Sequence, residues 1–403
     1  MERLPPRPAR GGGQGAGALR ICIVTPSALG SNPRVVKEAN ALSAAGYEVE
    51  VICTRTLAAV DERDADVVAA ARWRAHRIDL TDRLEWLGRR LAQTLSGAFS
   101  PFTAPLTVQA MNVPADLYIA HYPAALPAAA AAARRHRARY AFDAEDFHPG
   151  DEPAGRQGDR SRTRLETLDR RWLGGCAYLT AAAPLIAKAY AERYGLPLPT
   201  VVLNTFPKAN APAHGPTATG SAEPGPSIYW YSQTLGPNRG LEALIEAAAR
   251  SATKPHLYLR GMDFLGFGER LRMQAGRLGV EDRLHLLPPA PPSRMEALAA
   301  QYDAGFVGET GWTANRRIAL TNKQFTYLLA GLPSLMSATP GHADFAKCAE
   351  GAVSLFRVDD ADDLAKAIDE LFGDAGRLSA ARAAAYRLGQ TRFNWEVEEA
   401  KLL

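Results

Sequence analysis

Cysteine is scarce: the 403 residues include four, Cys22, Cys53, Cys176 and Cys348, far apart and with no CxxC pair. That scarcity speaks against a disulfide framework and for a reduced, cytosolic compartment. Cys22 and Cys53 sit in apolar strand-like runs, where a thiol behaves as a small hydrophobe. Charge of one sign is also lacking. A formal net charge of +4 is too small to give a nucleic-acid footprint. No apolar run approaches the roughly 18 residues needed to span a bilayer, so the chain is expected to be soluble or at most to lie on a membrane. The opening stretch MERLPPRPARGGGQGAGALR has no apolar h-region; residues 1–19 read as a disordered tail rather than a signal peptide. The GxGxxG-like pattern at Gly11–Gly17 falls in that tail, and no dinucleotide fingerprint with a following acid occurs elsewhere. A dinucleotide-dependent oxidoreductase is therefore disfavoured.

What is present is a phrase used twice. Ile21–Thr25 is a β-branched run followed by a polar loop, Ser27–Asn32. A helix follows with Val35, Val36, Ala39, Leu42 and Ala45 apolar, and Gly46 closes it before the run Glu48–Cys53. The same order of strand, polar loop, helix and strand recurs at Ile228–Tyr231, Ser232–Asn238, Arg239–Arg250 and His256–Arg260. Further short apolar runs lie at 115–121, 137–146, 176–182 and 200–204, then at 282–287, 304–309 and 333–337. Such runs suit parallel strands buried on both faces. The fold class is thus α/β: two Rossmann-like doubly wound domains, 20–206 and 227–385, joined by the Pro/Gly/Ala-rich linker 207–226. Residues 386–403 are expected to form a helix that packs back on the first domain. Ligands should sit beyond the carboxyl ends of the strands, and two facing domains would place those ends in one cleft.

With NPRVVKEANALSAAGYEVEV, DLYIAHYPAALPAA, YAFDAEDFH, VVLNTFP, GPNRGLEALIEAA and NKQFTYLLAGLPSL in this order, the chain resembles a GT-B glycosyltransferase of the retaining family 4 type. The resemblance implies a nucleotide-diphosphate-sugar donor held mainly by the second domain. It implies a glycan, lipid-linked or small-molecule acceptor held mainly by the first. It implies no metal and no separate cofactor, because cations and helix N-termini stabilise the leaving diphosphate.

The segment TNKQFTYLLAGLPSL gives that role a physical basis. Thr321 and Gln324 fit a capping box that places Lys323 in the first helical turn. Exposed amides and the positive dipole end make an anion the natural guest there. Gly331 suits a left-handed C-cap, and Pro333 stops the helix. Arg239 matches the basic residue that relatives place on the diphosphate, and Gly240 would permit close backbone approach. Ser232, Thr234, Glu309, Asn322, Gly30 and Ser31 complete the expected donor side. Relatives usually carry two glutamates eight positions apart. Here those positions hold Ile318 and Thr326, leaving a hydroxyl where a carboxylate normally grips the ribose. Gln233 and Thr234 are neutral where an arginine is common; Arg316 and Arg317 lie nearby and either compensate or form a flexible basic loop.

In the first domain His121 matches a histidine near the transferred sugar. Asp143, Glu145, Asp146 and His148 cluster after the next strand, where they would bind acceptor hydroxyls, supply a base or cap a helix. Asn32-Pro33-Arg34 reads as a helix start with Arg34 free to face an acidic acceptor. Asp64 and Asp66 lie in a charged stretch without a preceding strand, and read as surface charges rather than a metal pair. In 82–102, Leu84, Leu87, Leu91 and Leu95 share one helical face with arginines elsewhere; it is either a core-facing helix or a peripheral contact with the inner membrane face. The degenerate glutamate pair keeps two alternatives open: a non-catalytic GT-B-like binding subunit and a sugar-nucleotide epimerase.

Overall fold

The computed structural model describes residues 18–55, 61–82, 100–151, 155–213 and 225–403. The chain divides into two compact units, Met1–Val202 with Glu399–Leu403, and Leu203–Glu398. In the first unit the strands are β1 (Arg20–Val24), β2 (Glu48–Arg55), β3 (Arg74–Asp79), β4 (Leu117–His121), β5 (Arg139–Ala144), β6 (Leu179–Ala181) and β7 (Thr200–Val201). They form one parallel sheet in the order β3-β2-β1-β4-β5-β6-β7. The second unit has β8 (Ser227–Leu235), β9 (His256–Asp263), β10 (Leu284–Leu287), β11 (Ala304–Val307), β12 (Ser334–Ser337) and β13 (Val353–Phe356). Its sheet is also parallel, in the order β10-β9-β8-β11-β12-β13.

Both sheets are buried on two faces, which is why their central strands read as continuous apolar runs. In the first unit Ile21, Ile23, Val51 and Ile119 pack with Val35, Ala39 and Leu42 of the helix Pro33–Ala44. In the second, Ile228, Trp230, Leu257, Leu259 and Phe306 pack with Leu244 and Ile245 of Leu241–Arg250 and with Leu364 and Ile368 of Ala361–Phe372. Each unit reverses strand order next to its first strand, between β1 and β4 and between β8 and β11. Those switch points put β1, β4, β8 and β11 carboxyl ends where parallel sheets bind ligands.

Several expectations need correction. Residues 232 and 234 belong to β8, which runs through a bulge between Tyr231 and Thr234 instead of ending at Tyr231. The following helix starts at Leu241 with Gly240 as N-cap, so Arg239 precedes it rather than opening it. The end of the chain is two helices, Ala375–Thr391 and Trp395–Glu399, and residues up to Glu398 group with the second unit. Trp395 N donates to Phe206 O and Glu398 accepts from Leu203 N. Much of the expected linker, and residues 83–99 of the amphipathic segment, lie outside the described residues.

The helix Asn322–Ala330 packs closely against Ala375–Thr391. Gly389 in Ala375–Thr391 lies so near that a Cβ there would come within 2.6 Å of Leu328 O and 2.8 Å of Leu329 Cα. Alanine gains roughly 1 kcal/mol in helix propensity over glycine, but forcing a methyl against rigid backbone costs about 1–3 kcal/mol. Gly389→Ala is therefore expected to lower the melting temperature. A melting temperature at or above that of the wild type would contradict this packing.

Candidate active site

At the carboxyl ends of β4 and β5, the first unit concentrates charge in its interior. Asn32 caps the helix Pro33–Ala44, its Oδ1 accepting from the amides of Arg34 and Val35. Arg34 and Glu38 sit one turn apart on the inward face of that helix. Arg34 Nε and an Nη donate to the two oxygens of Asp143 at 2.5 and 2.7 Å, and its other Nη donates to Val202 O at 2.7 Å. Thr180 Oγ1 also donates to Asp143. His121 Nε2 meets Glu38 Oε2 at 2.6 Å, and Nδ1 meets Glu145 Oε1 at 2.9 Å and Asp143 Oδ2 at 3.3 Å.

Arg34, Glu38, His121 and Asp143 are each less than 5% exposed. Burial alone would strip the proton from His121, but Asp143, Glu38 and Glu145 outweigh it and raise its pKa to about 10. Burial likewise opposes ionisation of Asp143, and Arg34 and His121 overcome it, holding that carboxyl far below the usual range. The network is two cations against three carboxylates. Glu38, His121 and Asp143 bring ligand-type atoms within 4.8 Å of one another. Arg34 already occupies both Asp143 oxygens, so the set fits an ion-pair network better than a metal site.

This arrangement changes three expected roles. Arg34 is 3% exposed and committed to Asp143 and Val202, so it does not face an acceptor. Asp143 is equally enclosed. His121 has both ring nitrogens held by carboxylates and presents no free nitrogen to a sugar. Glu145 is the member that reaches the surface, its side chain 12% exposed and fixed by His121 and by Asn32 Nδ2 at 3.0 Å. Around it lie the half-buried Asp146 and His148, and Tyr122, whose ring lies 5.4 Å from that of His148. Tyr122 has φ 65°, costly for a bulky residue and typical of a site where backbone geometry is over-determined.

Gly30 donates its amide to Asp64 Oδ1 at 2.6 Å, and a Cβ there would lie 2.8 Å from Arg63 Cβ. Its glycine is thus required by the neighbouring helix Asp61–Ala70. Asp64 is buried and Asp66, two residues on, is exposed, so the two do not form a pair. Ser31 is exposed and its hydroxyl donates to Ala28 O at 2.8 Å.

The second unit gathers cations. Asn322–Ala330 begins after Thr321 and ends at Gly331, φ 71°. No capping box forms: Thr321 Oγ1 donates to Gln324 Oε1 at 2.9 Å and leaves the first amides uncapped by a side chain. Lys323 is 7% exposed. Its Nζ lies 3.7 Å from Glu309 Oε1 and 5.5 Å from the centre of the Trp230 ring. Burial, with help from Arg239 and Arg316, lowers the Lys323 pKa to about 8 despite Glu309. Glu309, which burial alone would neutralise, is kept ionised by Lys323, Arg316 and Arg239. Arg239, Arg316 and Lys323 therefore act on a single carboxylate at the end of β11. His342 lies nearby, buried and with its pKa lowered by burial, and its Nδ1 is 2.8 Å from Ser337 O.

Glu309 is thus an enclosed ion-pair partner, not a solvated loop charge. Thr326 is fully buried; it accepts from Tyr231 Oη at 2.9 Å and donates to Glu296 Oε1 at 3.2 Å. Its hydroxyl is taken up internally and does not face a ribose. Gly240, φ 67°, meets protein backbone: a Cβ would come within 2.5 Å of Gly308 O. Asn322 is half-buried at the first helical position, while Ser232 and Thr234 lie partly exposed on β8. Glu38 and Glu296 were missed by sequence reasoning. Glu38 had a signal, its spacing of four from Arg34; Glu296 had none.

The two parallel α/β units are those of the GT-B fold of glycosyltransferases. Residues 30–205 match the model of the Glycosyl transferase 4-like domain. Among solved structures, HepE of Anabaena in complex with UDP-glucose is similar at 16% identity and TM-score 0.70, over 95% of this chain and 98% of that one. Sucrose-phosphate synthase from Thermosynechococcus elongatus is similar at 16% identity and TM-score 0.73, over 95% and 97%. TarM of S. aureus in complex with Fondaparinux, alpha-GlcNAc-glycerol and UDP is similar at 8% identity and TM-score 0.68, over 95% and 99%. None of the curated proteins matches the sequence.

The buried network makes a pH prediction. His121 has a folded pKa of about 10 against an ordinary 6.5, so its contribution is complete below about pH 6.5 and disappears as pH rises through about 10. His121→Gln strands buried carboxylates and is expected to cost on the order of 3–5 kcal/mol near neutral pH. Denaturant titrations near pH 6 and pH 10 should show that difference shrinking at the higher pH. A difference independent of pH would contradict the charged imidazolium.

Proposed function

We propose that the protein is a glycosyltransferase that moves a sugar from a nucleoside-diphosphate sugar to a hydroxyl acceptor. The observation that carries this reading is the convergence of Lys323, Arg239 and Arg316 on Glu309. Lys323 and Glu309 are buried 3.7 Å apart, and the half-buried Arg239 and Arg316 are near enough to act on both, so positive charge outnumbers negative beside uncapped helix amides. A leaving diphosphate develops negative charge as the glycosidic bond breaks, and preorganised cations stabilise that charge. These cations supply what a metal supplies elsewhere, and the reaction proceeds without one. HepE was solved with UDP-glucose, so a uridine diphosphate hexose is the first donor to test.

On the first unit, Glu145 is the fixed, partly exposed carboxylate that accepts a hydrogen bond from the acceptor hydroxyl and orients it. The acceptor oxygen attacks the anomeric carbon, the bond to the diphosphate breaks, and a diphosphate oxygen takes the hydroxyl proton. Attack from the face the diphosphate leaves retains configuration. A glycan or a lipid-linked sugar presents the required hydroxyl, and the work is done in the cytoplasm at or near the inner membrane face. No helix among the described residues is long and apolar enough to cross a membrane.

Arg239→Ala and Lys323→Ala are each expected to lower kcat/KM for transfer from a uridine diphosphate hexose by about 100-fold or more. Because Lys323 has a pKa of about 8, turnover should decline as pH rises above that value and the cation is lost. Lys323→Arg keeps its charge and should flatten the decline. Unchanged turnover in both alanine variants, across a panel of nucleoside-diphosphate sugars, would remove the mechanism.

A further inference from the structure

The helix Arg156–Trp172 carries a charge pattern that the reaction does not use. Each of its three acids has a partner: Asp159 is exposed, Glu166 is half-buried and Asp169 is buried, and all three stand outside the sector of its exposed arginines. Arg162 pairs with Asp159, Arg193 with Glu166, and Tyr194 Oη donates to Asp169 Oδ2 at 2.7 Å. At 100° per residue, Arg160, Arg164, Arg170 and Arg171 fall with Thr163 and Thr167 in one sector about 120° wide. All six residues are exposed, and the sector holds no acid.

The threonine hydroxyls turn inward, donating to Asp159 O and Thr163 O at 2.8 Å, so the face bonds outward through guanidinium groups. Arg160 and Arg164 have no ion-pair partner among the described residues. The Arg170 guanidinium lies 5.6 Å from the ring centre of Tyr194 and that of Arg171 lies 5.0 Å from that of Trp172, so both heads rest over aromatic faces.

The stripe continues beyond the helix. Tyr140 Oη donates to Trp172 O at 2.7 Å, bringing the start of β5 to the helix end. Exposed Arg134, Arg135 and Arg137 finish the preceding helix, Leu126–His136, which packs beside Arg156–Trp172. At its other end the basic helix packs against His148–Gly150, just after Glu145. The arginines thus run from the acceptor-side edge of the first sheet along one flank of the unit. The whole chain has a net charge of only +4, so this cationic face is a local construction and not part of a general excess.

We infer that this arginine face docks the first unit on an anionic lipid bilayer, with the Glu145 edge beside the lipid surface. Guanidinium groups suit lipid phosphates bidentately, and clustered basic residues are drawn to an anionic leaflet within a Debye length. A straight stripe along one helix and its neighbour matches an extended planar surface. That docking brings a lipid-linked acceptor to the site rests on the proposed transferase reading; the docking itself does not.

The test is co-sedimentation of the full chain with vesicles, without donor or acceptor. Phosphatidylcholine vesicles should leave it in solution, and mixed phosphatidylcholine–phosphatidylglycerol vesicles should carry it down, less so at high salt. Arg160→Gln, Arg164→Gln and Arg171→Gln together should reduce partitioning roughly a hundredfold without changing the melting temperature, since all three are exposed. Arg270→Gln, Arg272→Gln and Arg277→Gln, on the exposed side of Phe267–Arg277 in the second unit, should leave partitioning unchanged. Equal binding to neutral vesicles, no binding to anionic ones, or full binding by the first triple variant would overturn the inference. So would displacement of the vesicles by short single-stranded DNA, which would make the face a nucleic-acid surface. A protein that sediments as expected but transfers no sugar keeps the inference and loses the proposed function.

Discussion

The burial of Lys323 beside Glu309 is the constraint on which the second unit's chemistry depends. An ammonium removed from water is costly unless an anion meets it. Here the carboxylate at 3.7 Å is shared with two further cations, so it does not fully compensate any of them. The depressed pKa of Lys323 is the sign of that shortfall. A site left in this condition gains from any anion that enters, and most from one carrying two negative charges. The scaffold holds the arrangement rigidly: Trp230 lies under the ammonium, Ser337 fixes the Glu309 backbone through Oγ to O at 2.7 Å, and Gly389 lets a second helix clamp the site helix.

The first unit solves a similar problem in the opposite way. Arg34, His121, Glu38 and Asp143 are as deeply buried as Lys323, yet each finds its partners among the others. Such a closed network costs a great deal to break and has little to offer a ligand. Its use is to fix the one member that reaches the surface. Glu145 takes hydrogen bonds from Asn32 and His121 on one oxygen, which sets its orientation from two directions. The two units therefore differ in kind, one with satisfied charges and a single presented carboxylate, the other with surplus cations.

How much of this was legible follows from what each feature depends on. The central strands were readable because burial on both faces demands uninterrupted apolar runs. The edge strand β3, RAHRID, has only Ala75 and Ile78 apolar and is half-exposed, so it offers no such run, and β13, VSLF, is interrupted by Ser354 and leaves Leu355 exposed. The place of Lys323 in the first turn of its helix was readable from local signals, Gly331 and Pro333 marking the stop, although the capping box expected at Thr321 does not form. Arg316 was not decided, since only burial of its neighbours distinguishes a binding charge from a flexible loop. The Arg34–Asp143 pair spans 109 positions, beyond the reach of any local pattern, and the exposed role first expected for Arg34 failed for that reason. Thr326 shows the same limit: a hydroxyl replacing a carboxylate invites a ligand role, but Tyr231 and Glu296, 95 and 30 positions away, already claim it.

The central claim is that surplus positive charge around Glu309 is meant for a diphosphate. Calorimetric titration of the intact protein with uridine and with uridine diphosphate, at neutral pH and moderate salt, tests it without assuming any acceptor. The diphosphate should bind at least roughly a hundredfold tighter than the nucleoside, a difference of about 2.7 kcal/mol, and the advantage should vanish when Lys323 and Arg239 are both replaced by alanine. Equal affinity for the two compounds in the wild type would contradict it.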